Sequence, residues 1–518
     1  MAALSSVSLA DIPAPSAVAM EALPELSAAV QGRISTGTQE RISYARDMWP
    51  KALLWMRQGR SPPPPDLVAW PQNEDEVASV IRIARARGIP VVPFGAGSGV
   101  CGGTWPVRGG IALDVKRLES IGTVDALEHT VEVGAGVMGE VLERNLMRQG
   151  YTLGHFPSSI YMSTVGGWLA ARSAGQLSNR YGKIEDMTLA VRAVTGTGEL
   201  LVTPPRPHAE PDLLPLLLGS EGTLCVFTGA TLRVHRAPAH RTFRGFHFKS
   251  VEAGVEAMRL LFRAGLRPSV LRLYDPFDTA IVGSDKPKPP RTPPSLRSRF
   301  KADIVPSLMR KITPWTLGRP ALMNGATALL RTTLLVLLFE GDEARTEAED
   351  AAARALCLEA GGRDQGESPG RHWFKKRYDV SYKMSAVFDD GAFVDTLEVA
   401  CTWDRVLDVY HRVRTALGPL AFVLCHFSHA YLEGCSLYFS LVSSASGDAA
   451  QEARYDEIWR VGLAAAMDAG ATVSHHHGVG LLKAAALQKE LGSGARLLRG
   501  LKTALDPDGI LNPGKLGL

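Results

Sequence analysis

A glycine-rich turn directly after a predicted strand constrains the fold of this chain more than any other stretch. The turn, Gly-Ala-Gly-Ser-Gly at residues 95–99, is followed by a Gly-Gly pair at 102–103. Before it, residues 66–71 and 90–94 are predicted strands, and residues 73–88 between them a helix with acids first, basic residues last and a closing glycine. Backbone N–H groups in such a turn can approach a phosphate. The chain therefore begins as a mixed α/β region with a candidate phosphate loop.

The turn matches neither of two common nucleotide-binding motifs. It contains no lysine, which argues against a P-loop. A strand at residues 111–115 follows it, whereas the dinucleotide fingerprint opens a helix. By itself, a glycine-rich turn after a strand is weak support for a ligand site, because many such turns are only structural.

Two further turns rich in glycine and hydroxyl residues lie in the same region. One spans residues 163–168 and enters a predicted helix at 169–174, and the other spans residues 219–224. The other elements predicted here are strands at 130–133 and 188–195 and a helix at 139–149. Three such turns in one α+β region indicate a large phosphate-bearing ligand that is held in several places.

The composition is that of a globular protein with more than one domain. At 518 residues, with 45% apolar and 21% charged residues, the chain is longer than one hydrophobic core usually supports. Its six cysteines lie far apart and form no CxxC pair, which is typical of a reducing compartment. The first thirty residues lack a basic signal sequence, and the most apolar stretch, 321–339, is interrupted by Asn324 and Arg331. We therefore expect a cytoplasmic protein.

The net charge of +4 conceals one basic segment. Residues 286–311 contain eight basic residues and one acid, so the rest of the chain carries about −3. This distribution gives no case for nucleic-acid binding. The segment has two interpretations: a solvated loop, or a lid or patch that makes a peripheral contact with anionic lipid headgroups at a membrane.

A second domain is predicted from about Ala237, where strands and helices alternate. The predicted strands are 242–248, 269–274, 332–339, 394–400 and 420–425, and the predicted helices are 251–264, 344–360 and 404–416. Residues 1–60 are predicted to be mostly helical. The chain ends in a Pro- and Gly-rich motif at residues 505–515.

The glycine-rich turns and a fourth run resemble the FAD-binding domain of the vanillyl-alcohol oxidase, or PCMH-type, flavoproteins. The runs that carry the resemblance are residues 93–99, 163–168, 181–186 and 219–224. The resemblance implies an α+β fold, with a two-subdomain FAD-binding domain and an α/β cap domain built on an antiparallel sheet. The implied domains are an N-terminal helical segment (1–60), the FAD-binding domain (61–237), the cap or substrate domain (238–470) and a C-terminal segment that packs back on the FAD-binding domain (471–518).

FAD is the cofactor that the resemblance implies. In this family the first loop wraps the FAD pyrophosphate, and the second turn lies against the flavin. Covalent members often carry a histidine in the first loop, where Ser98 and Gly99 stand here, so we expect non-covalent FAD. The implied cofactor-binding residues are Pro93, Gly95, Ala96, Gly97, Ser98, Gly99, Pro157, Ser163, Thr164, Gly166, Gly167, Ser173, Glu221, Gly222, Thr223 and Val226.

Three consecutive histidines, His475, His476 and His477, lie in the run Ser-His-His-His-Gly-Val-Gly at residues 474–480. Because neighbouring residues on a helix or strand point in different directions, one core face cannot use all three. The alternatives are a structural histidine cluster and an active-site loop in which one or two imidazoles face a substrate or cofactor. We favour the active-site loop.

Within this family, the whole pattern most resembles the alkyldihydroxyacetonephosphate synthase branch. Those enzymes use FAD without net redox change to replace an acyl chain by a fatty alcohol, which forms an ether lipid. Tyr438 stands at the position of their acid/base tyrosine, and a tyrosine in that role needs an imidazolium or an arginine to stabilise its phenolate. We expect a small or lipid-like substrate and a homodimer. The implied catalytic residues are Tyr438, Arg272, His475, His476 and His477.

The rival branch contains the FAD-dependent 2-hydroxy-acid dehydrogenases, whose metal-dependent members bind zinc. In an alignment on the glycines, Tyr431, Tyr438 and His476 take the positions of the zinc ligands. Two tyrosines and one histidine make a poor zinc site. His426 and His429 are a further candidate metal pair, but such a pair is more often structural. We therefore expect no metal.

One departure from the synthase branch leaves the substrate open. The synthases carry an arginine 19 residues before a tryptophan, and counting back from Trp403 places Met384 at that position. Methionine offers no charge to an anionic substrate, although Lys383 is adjacent. The alternative function is an FAD-dependent oxidase or dehydrogenase of another alcohol or 2-hydroxy acid. A flavin-binding protein without catalysis is the third interpretation.

Overall fold

A computed structural model of the chain describes residues 7–206, 211–284, 319–327, 330–379 and 392–518. The predicted basic segment at 286–311 and the positions Lys383 and Met384 lie outside the described residues. Within them, no helix is both long enough and apolar enough to cross a membrane.

The helices of the described residues are mostly short. In chain order they are α1 (Ala17–Ala29), α2 (Thr38–Ser43), α3 (Pro50–Arg57), α4 (Glu74–Arg87), α5 (Gly139–Arg148), α6 (Val165–Ala171), α7 (Ser178–Tyr181), α8 (Ile184–Met187), α9 (Leu214–Leu217), α10 (Val251–Arg263), α11 (Pro276–Ser284), α12 (Pro320–Thr327), α13 (Glu343–Glu359), α14 (Ser368–Lys376), α15 (Val406–Leu417), α16 (Asp448–Asp468), α17 (Ala484–Leu491) and α18 (Ala495–Leu505).

The strands range from two-residue pairs to long central strands. In chain order they are β1 (Ile34–Ser35), β2 (Leu67–Ala69), β3 (Val91–Phe94), β4 (Ile111–Asp114), β5 (Thr130–Gly134), β6 (Tyr151–Thr152), β7 (Thr188–Thr195), β8 (Leu200–Val202), β9 (Cys225–Arg233), β10 (His235–Arg236), β11 (His240–Phe248), β12 (Val270–Tyr274), β13 (Thr333–Gly341), β14 (Arg363–Asp364), β15 (Phe393–Thr402), β16 (Phe422–Ala430) and β17 (Gly434–Ser443).

The first compact unit, Met1–Ala237 with Val473–Leu518, contains two four-stranded sheets. In the sheet of order β1-β2-β4-β3, strands β2 and β3 both run parallel to β4. The sheet of order β5-β9-β7-β8 is antiparallel. The two-subdomain α+β architecture predicted for this part of the chain is confirmed.

Helix α4 packs against the parallel sheet, and its sequence explains both its ends and its buried face. The side chain of Asn73 accepts a hydrogen bond from the backbone N–H of Glu76, and Gly88 ends the helix with φ of 65°. Val77 and Ile81 on its apolar face join one core cluster with residues of β2, β3 and β4. Burial of each such side chain contributes about 1.5–3 kcal/mol.

The helix predicted at 169–174 is present, but its predicted bounds were wrong: it spans Val165–Ala171, so it begins four residues and ends three residues earlier. Helix α6 begins at Val165, because the side chain of Thr164 accepts the backbone N–H of Gly167 and caps the helix there. Arg172 adopts φ of 51° and ends it. The second glycine-rich turn is therefore the first turn of this helix.

The second compact unit, Pro238–Thr472, is built on one seven-stranded sheet of order β14-β11-β13-β12-β16-β17-β15. Every pairing in it is antiparallel, which confirms the predicted antiparallel sheet. Strand β16 continues to Ala430, five residues beyond the predicted end at residue 425. Helices α15 and α16 pack against each other and against β15.

Candidate functional site

The loop after β3 is shaped to receive an anion. Gly97 has φ of +68°, and a Cβ on it would lie 2.7 Å from the ring of Phe94, so only glycine fits. The backbone N–H groups of residues 96–100 donate to no acceptor in the described part of the chain. A run of free N–H groups in a glycine-rich turn binds phosphate oxygens. This run includes the predicted residues Ala96, Gly97, Ser98 and Gly99, and it fits the pyrophosphate of FAD.

The second turn meets the first loop at Gly95. A Cβ on Gly95 would overlap the hydroxyl oxygen of Thr164. The N–H groups at the start of α6 are used inside the fold, that of Gly166 by the carbonyl of Ala135 and that of Gly167 by the Thr164 hydroxyl. The second turn therefore offers side chains and Cα atoms at the helix start, while the N–H groups of Ser163 and Thr164 just before it donate to no acceptor among the described residues. A flat ring can lie against the helix start, and a ligand oxygen can accept from these two donors.

A buried hydrogen-bonded group lies behind the second turn. Nε2 of His155 is 2.9 Å from the hydroxyl of Ser173, and the hydroxyl of Ser163 accepts the indole N–H of Trp168 at 2.9 Å. Burial, and then the nearby charge of His476, lowers the pKa of His155 to about 3. His155 is therefore neutral at pH 7 and serves as a hydrogen-bond partner, not as a cation.

The third turn packs on the end of β3 through Gly222. Its φ is +73°, and a Cβ on it would lie 2.9 Å from Pro93. The hydroxyl of Thr223 donates to a backbone carbonyl of the same turn at 2.7 Å. Two other predicted residues are built into the fold: the carbonyl of Pro157 closes a 3-10 turn, and Val226 is buried in the core. The roles of these residues toward FAD remain predictions.

The carboxylate of Glu221 holds the histidine run against the third turn. Its two oxygens accept the backbone N–H groups of Val479 and Gly480, at 2.5 and 2.7 Å. Burial raises the pKa of Glu221 to about 6, although both hydrogen bonds act in the opposite direction. Both carboxylate oxygens and the backbone N–H and carbonyl of Glu221 thus have partners inside the fold.

The first loop holds the histidine run from the other side. The carbonyl of Cys101 accepts the N–H groups of Leu481 and Leu482 at 2.9 and 3.1 Å. A Cβ on Gly480 would overlap the same carbonyl, so the two segments are in direct contact. The predicted histidine loop and the predicted phosphate loop are therefore neighbours within the first unit.

The three imidazoles are half-buried and pack edge to face. The ring centroids of His475 and His476 are 5.3 Å apart, and those of His476 and His477 are 4.6 Å apart. Nδ1 of His475 lies 3.1 Å from Nδ1 of His476. One of these two nitrogens must carry the hydrogen and the other must accept it, so the two rings cannot both be imidazolium in this contact.

Asp47, which the sequence did not single out, fastens the far end of the first loop. Its carboxylate accepts the backbone N–H of Gly103 at 2.9 Å, the indole N–H of Trp105 at 3.2 Å and the backbone N–H of Trp49 at 3.1 Å. Burial raises its pKa to about 6. No local pattern could have revealed this residue, because its glycine partner lies 56 positions away.

The C-terminal motif joins these parts. The side-chain amide of Asn512 donates to the carbonyls of Gly103 and Glu221, at 2.8 and 2.6 Å. The buried ammonium of Lys515 donates to backbone carbonyls, and the charges of Asp47 and Glu221 act on it. Burial still lowers the pKa of Lys515 to about 8. One lysine and two acids thus bind the first loop, the third turn and the C-terminus together.

Replacing Asp47 by asparagine should weaken FAD binding about tenfold. The amide nitrogen would face the N–H of Gly103 or of Trp105, and an unsatisfied buried donor costs about 1–3 kcal/mol. Titration of the FAD-free protein with FAD, followed by flavin fluorescence, checks this. Asp75, an exposed acid in α4, provides the matched control as Asp75→Asn. An unchanged FAD dissociation constant in Asp47→Asn would contradict the expectation.

In the second unit, Tyr438 stands in a polar row on one face of the sheet. The register places it opposite Glu398 on β15 and opposite His426 on β16. The rings of His426 and Tyr438 are stacked, with centroids 4.6 Å apart and planes 19° apart. A terminal nitrogen of Arg272 lies 2.6 Å from Nε2 of His426. The structure therefore brings the predicted residues Tyr438 and Arg272 together around a histidine that had no predicted catalytic role.

The surroundings of Tyr438 act on its pKa in opposite directions. Burial raises the pKa, whereas a hydrogen bond with Thr396 and the positive charge of Arg272 lower it. Arg272 is thus a cation of the kind that a phenolate requires. The histidine run belongs to the first unit, and its role toward Tyr438 remains a prediction.

Two family models match the chain. One, described as FAD linked oxidases, C-terminal domain, matches residues 237–516, and the other, described as FAD binding domain, matches residues 65–204. Together with the fold and the free donors of the first loop, these matches define an FAD-dependent flavoenzyme. The chain belongs to the family of FAD-linked oxidases. The predicted cofactor, FAD, is confirmed, while its non-covalent attachment remains a prediction.

The chain is also similar to individual proteins of known name. The chain is 30% identical over 486 residues to an alkyldihydroxyacetonephosphate synthase of Trypanosoma brucei brucei, covering 91% of this chain and 75% of that protein. A solved alkyldihydroxyacetonephosphate synthase structure is 25% identical, with a TM-score of 0.77 over 98% of this chain and 88% of the other. A p-cresol methylhydroxylase structure, 14% identical, covers 98% of both chains with a TM-score of 0.71 and shows the shared PCMH-type fold.

Proposed function

We propose that this enzyme replaces the acyl chain of an acyl-dihydroxyacetone phosphate by a fatty alcohol and so forms an ether lipid without net oxidation. The observation that carries the proposal is the placement of Tyr438 and Arg272 around His426 on one face of the second unit's sheet. The similarity to a synthase over 91% of the chain supports it. The homodimer and the peripheral membrane contact expected from the sequence remain predictions.

FAD, when bound, supplies a redox-capable ring that is back in its oxidised form at the end of each exchange. The backbone donors of residues 96–100 would hold its pyrophosphate, and the second turn would receive the ring. Residues 95–103 contain no histidine, which supports non-covalent attachment.

Arg272 would bind the anionic group of the substrate. One of its terminal nitrogens is engaged by His426, while its Nε is buried and has no hydrogen-bond partner among the described residues. A buried guanidinium N–H without an acceptor is costly, so a ligand oxygen at this position would be stabilised. A phosphate oxygen provides the charge and geometry that a guanidinium binds well.

Tyr438 would be the acid/base residue. Its phenolate oxygen would take a proton from the substrate in one half of the exchange, and the resulting hydroxyl would return that proton in the other half. Burial raises the pKa of Tyr438, and the charge of Arg272 opposes this effect by stabilising the phenolate. The histidine run would contribute hydrogen-bond donors and acceptors, because the contact between His475 and His476 allows at most one of the two to be an imidazolium.

A substrate screen on the flavin absorption separates this function from the alternative. The alternative, an oxidase or dehydrogenase of an alcohol or 2-hydroxy acid, is favoured by Met384, which stands where the synthases carry an arginine. We expect the flavin band to stay oxidised when alcohols and 2-hydroxy acids are added anaerobically. Bleaching by a 2-hydroxy acid, with electron transfer to a dye, would establish the dehydrogenase function instead.

A further inference from the structure

Three of the described neighbours of His426 fix its orientation. Its Nε2 lies 2.6 Å from the terminal nitrogen of Arg272, and its Nδ1 lies 3.4 Å from a carboxylate oxygen of Asp278 in α11. Its ring is stacked on Tyr438. The guanidinium of Arg272 is itself held over the ring of Tyr274, 5.2 Å from the centroid.

The contact with Arg272 determines the tautomer of His426. A guanidinium has only donors and is always protonated in proteins, so Nε2 of His426 must be the acceptor. The single ring hydrogen is then on Nδ1, which faces Asp278. An imidazolium would place an N–H against a guanidinium N–H at 2.6 Å, so the neutral ring is the form that fits both neighbours.

We propose that His426 is a positioning residue: as the neutral Nδ1–H tautomer, it accepts a hydrogen bond from Arg272 and holds that guanidinium beside Tyr438. The order Asp278, His426, Arg272 is a chain of oriented groups in which each fixes the next. The part that concerns turnover rests on the proposed function, because it assigns Tyr438 the acid/base step.

The charged groups that act on Tyr438 come from two strands. Burial has the largest effect and raises the pKa of Tyr438; Arg272 on β12 lowers this pKa, and Asp395 and Glu398 on β15 raise it. If Arg272 loses the acceptor that orients it, burial and the two acids act on Tyr438 with less opposition. The pH dependence of turnover should then move to higher pH, which a purely structural role of His426 would not cause.

The tautomer can be measured independently of any substrate. In the full-length, FAD-loaded protein labelled with ¹⁵N-histidine, the resonances of His426 are assigned from their absence in His426→Phe. We expect the Nδ1–H tautomer at about pH 7. An Nε2–H tautomer or an imidazolium would overturn the proposal. His411→Phe, which removes an exposed histidine, is the control for assignment.

Turnover of two His426 variants then distinguishes the hydrogen bond to Arg272 from the stacking on Tyr438. His426→Phe keeps a ring against Tyr438 but removes the acceptor, so kcat should fall about 10- to 100-fold and the pH profile should move upward, with FAD content unchanged. His426→Gln can present an amide oxygen to Arg272 and should recover much of the loss. Equal turnover in His426→Phe, or no recovery in His426→Gln, would overturn the positioning role. If the wild type instead oxidises a hydroxy acid, the proposed function fails, while the tautomer measurement still decides the contacts of His426.

Discussion

Replacing Tyr438 with phenylalanine should reduce turnover by at least about a hundredfold while FAD remains bound as in the wild type. The substitution removes only the hydroxyl, so the stacked contact with His426 is retained. Phenylalanine can neither take nor return a proton, and proton transfer by a positioned side chain contributes about 10²–10⁴ in rate. Steady-state turnover and the flavin absorption of the purified variant check the two halves of this expectation.

A second tyrosine in the same hairpin provides the control. Tyr431 lies between β16 and β17, where its backbone N–H donates to the carbonyl of Gly434 at 2.8 Å. Tyr431→Phe keeps this backbone contact, and we expect turnover close to that of the wild type. If Tyr438→Phe also retained its turnover, Tyr438 would have no part in the mechanism.

Replacing Glu221 with glutamine should loosen the histidine run and weaken FAD binding about tenfold or more. The carboxylate accepts two backbone N–H groups, from Val479 and Gly480, whereas an amide has only one oxygen to offer. The other N–H would be left buried and unsatisfied, at a cost of about 1–3 kcal/mol. Hydrogen exchange at Val479 and Gly480 should become faster, and FAD titration should show the weaker binding.

The effect of Glu221→Gln on stability should depend on pH. Burial raises the pKa of Glu221 from 4.5 to about 6, so the folded chain binds this proton more tightly than the unfolded chain. The contribution of this carboxyl to the free energy of unfolding therefore falls as the pH rises from about 4.5 to about 6. Glutamine does not titrate, so the thermal stability deficit of the variant should be larger near pH 4.5 than near pH 7.

An exposed glutamate is the matched control for both measurements. Glu199→Gln changes an exposed residue of the first unit, and we expect wild-type FAD affinity and no pH-dependent deficit. If hydrogen exchange at Val479 and Gly480 were unchanged in Glu221→Gln, the Glu221 carboxylate would not hold the histidine run against the third turn.

The elements that could be predicted from the sequence are those whose information is local. Helix α4 could be predicted because its cap residue Asn73, its periodic apolar residues and its closing Gly88 all lie within one short stretch of the chain. The first loop could be predicted for the same reason, since its glycines directly follow a strand. Helix α6 was misplaced because Gly166 and Gly167 read as a turn, although the hydroxyl of Thr164 caps a helix that begins with them.

The parts that could not be predicted depend on contacts between distant residues. Glu221 and Val479 are 258 positions apart, and Arg272 and His426 are 154 positions apart. A family motif can mark Glu221 as a residue of the cofactor turn, but only the folded chain reveals that its carboxylate is occupied by the histidine run. In the same way, the register of β16 against β17 is what puts His426 on Tyr438.

The most direct test of the proposed function is a product balance under anaerobic conditions. The full-length protein is incubated with an acyl-dihydroxyacetone phosphate, a labelled fatty alcohol and an electron-accepting dye. We expect one labelled alkyl product and one free fatty acid for each acyl substrate consumed, with the dye unreduced. Absence of the alkyl product, or dye reduction in step with the loss of substrate, would contradict an exchange without net oxidation.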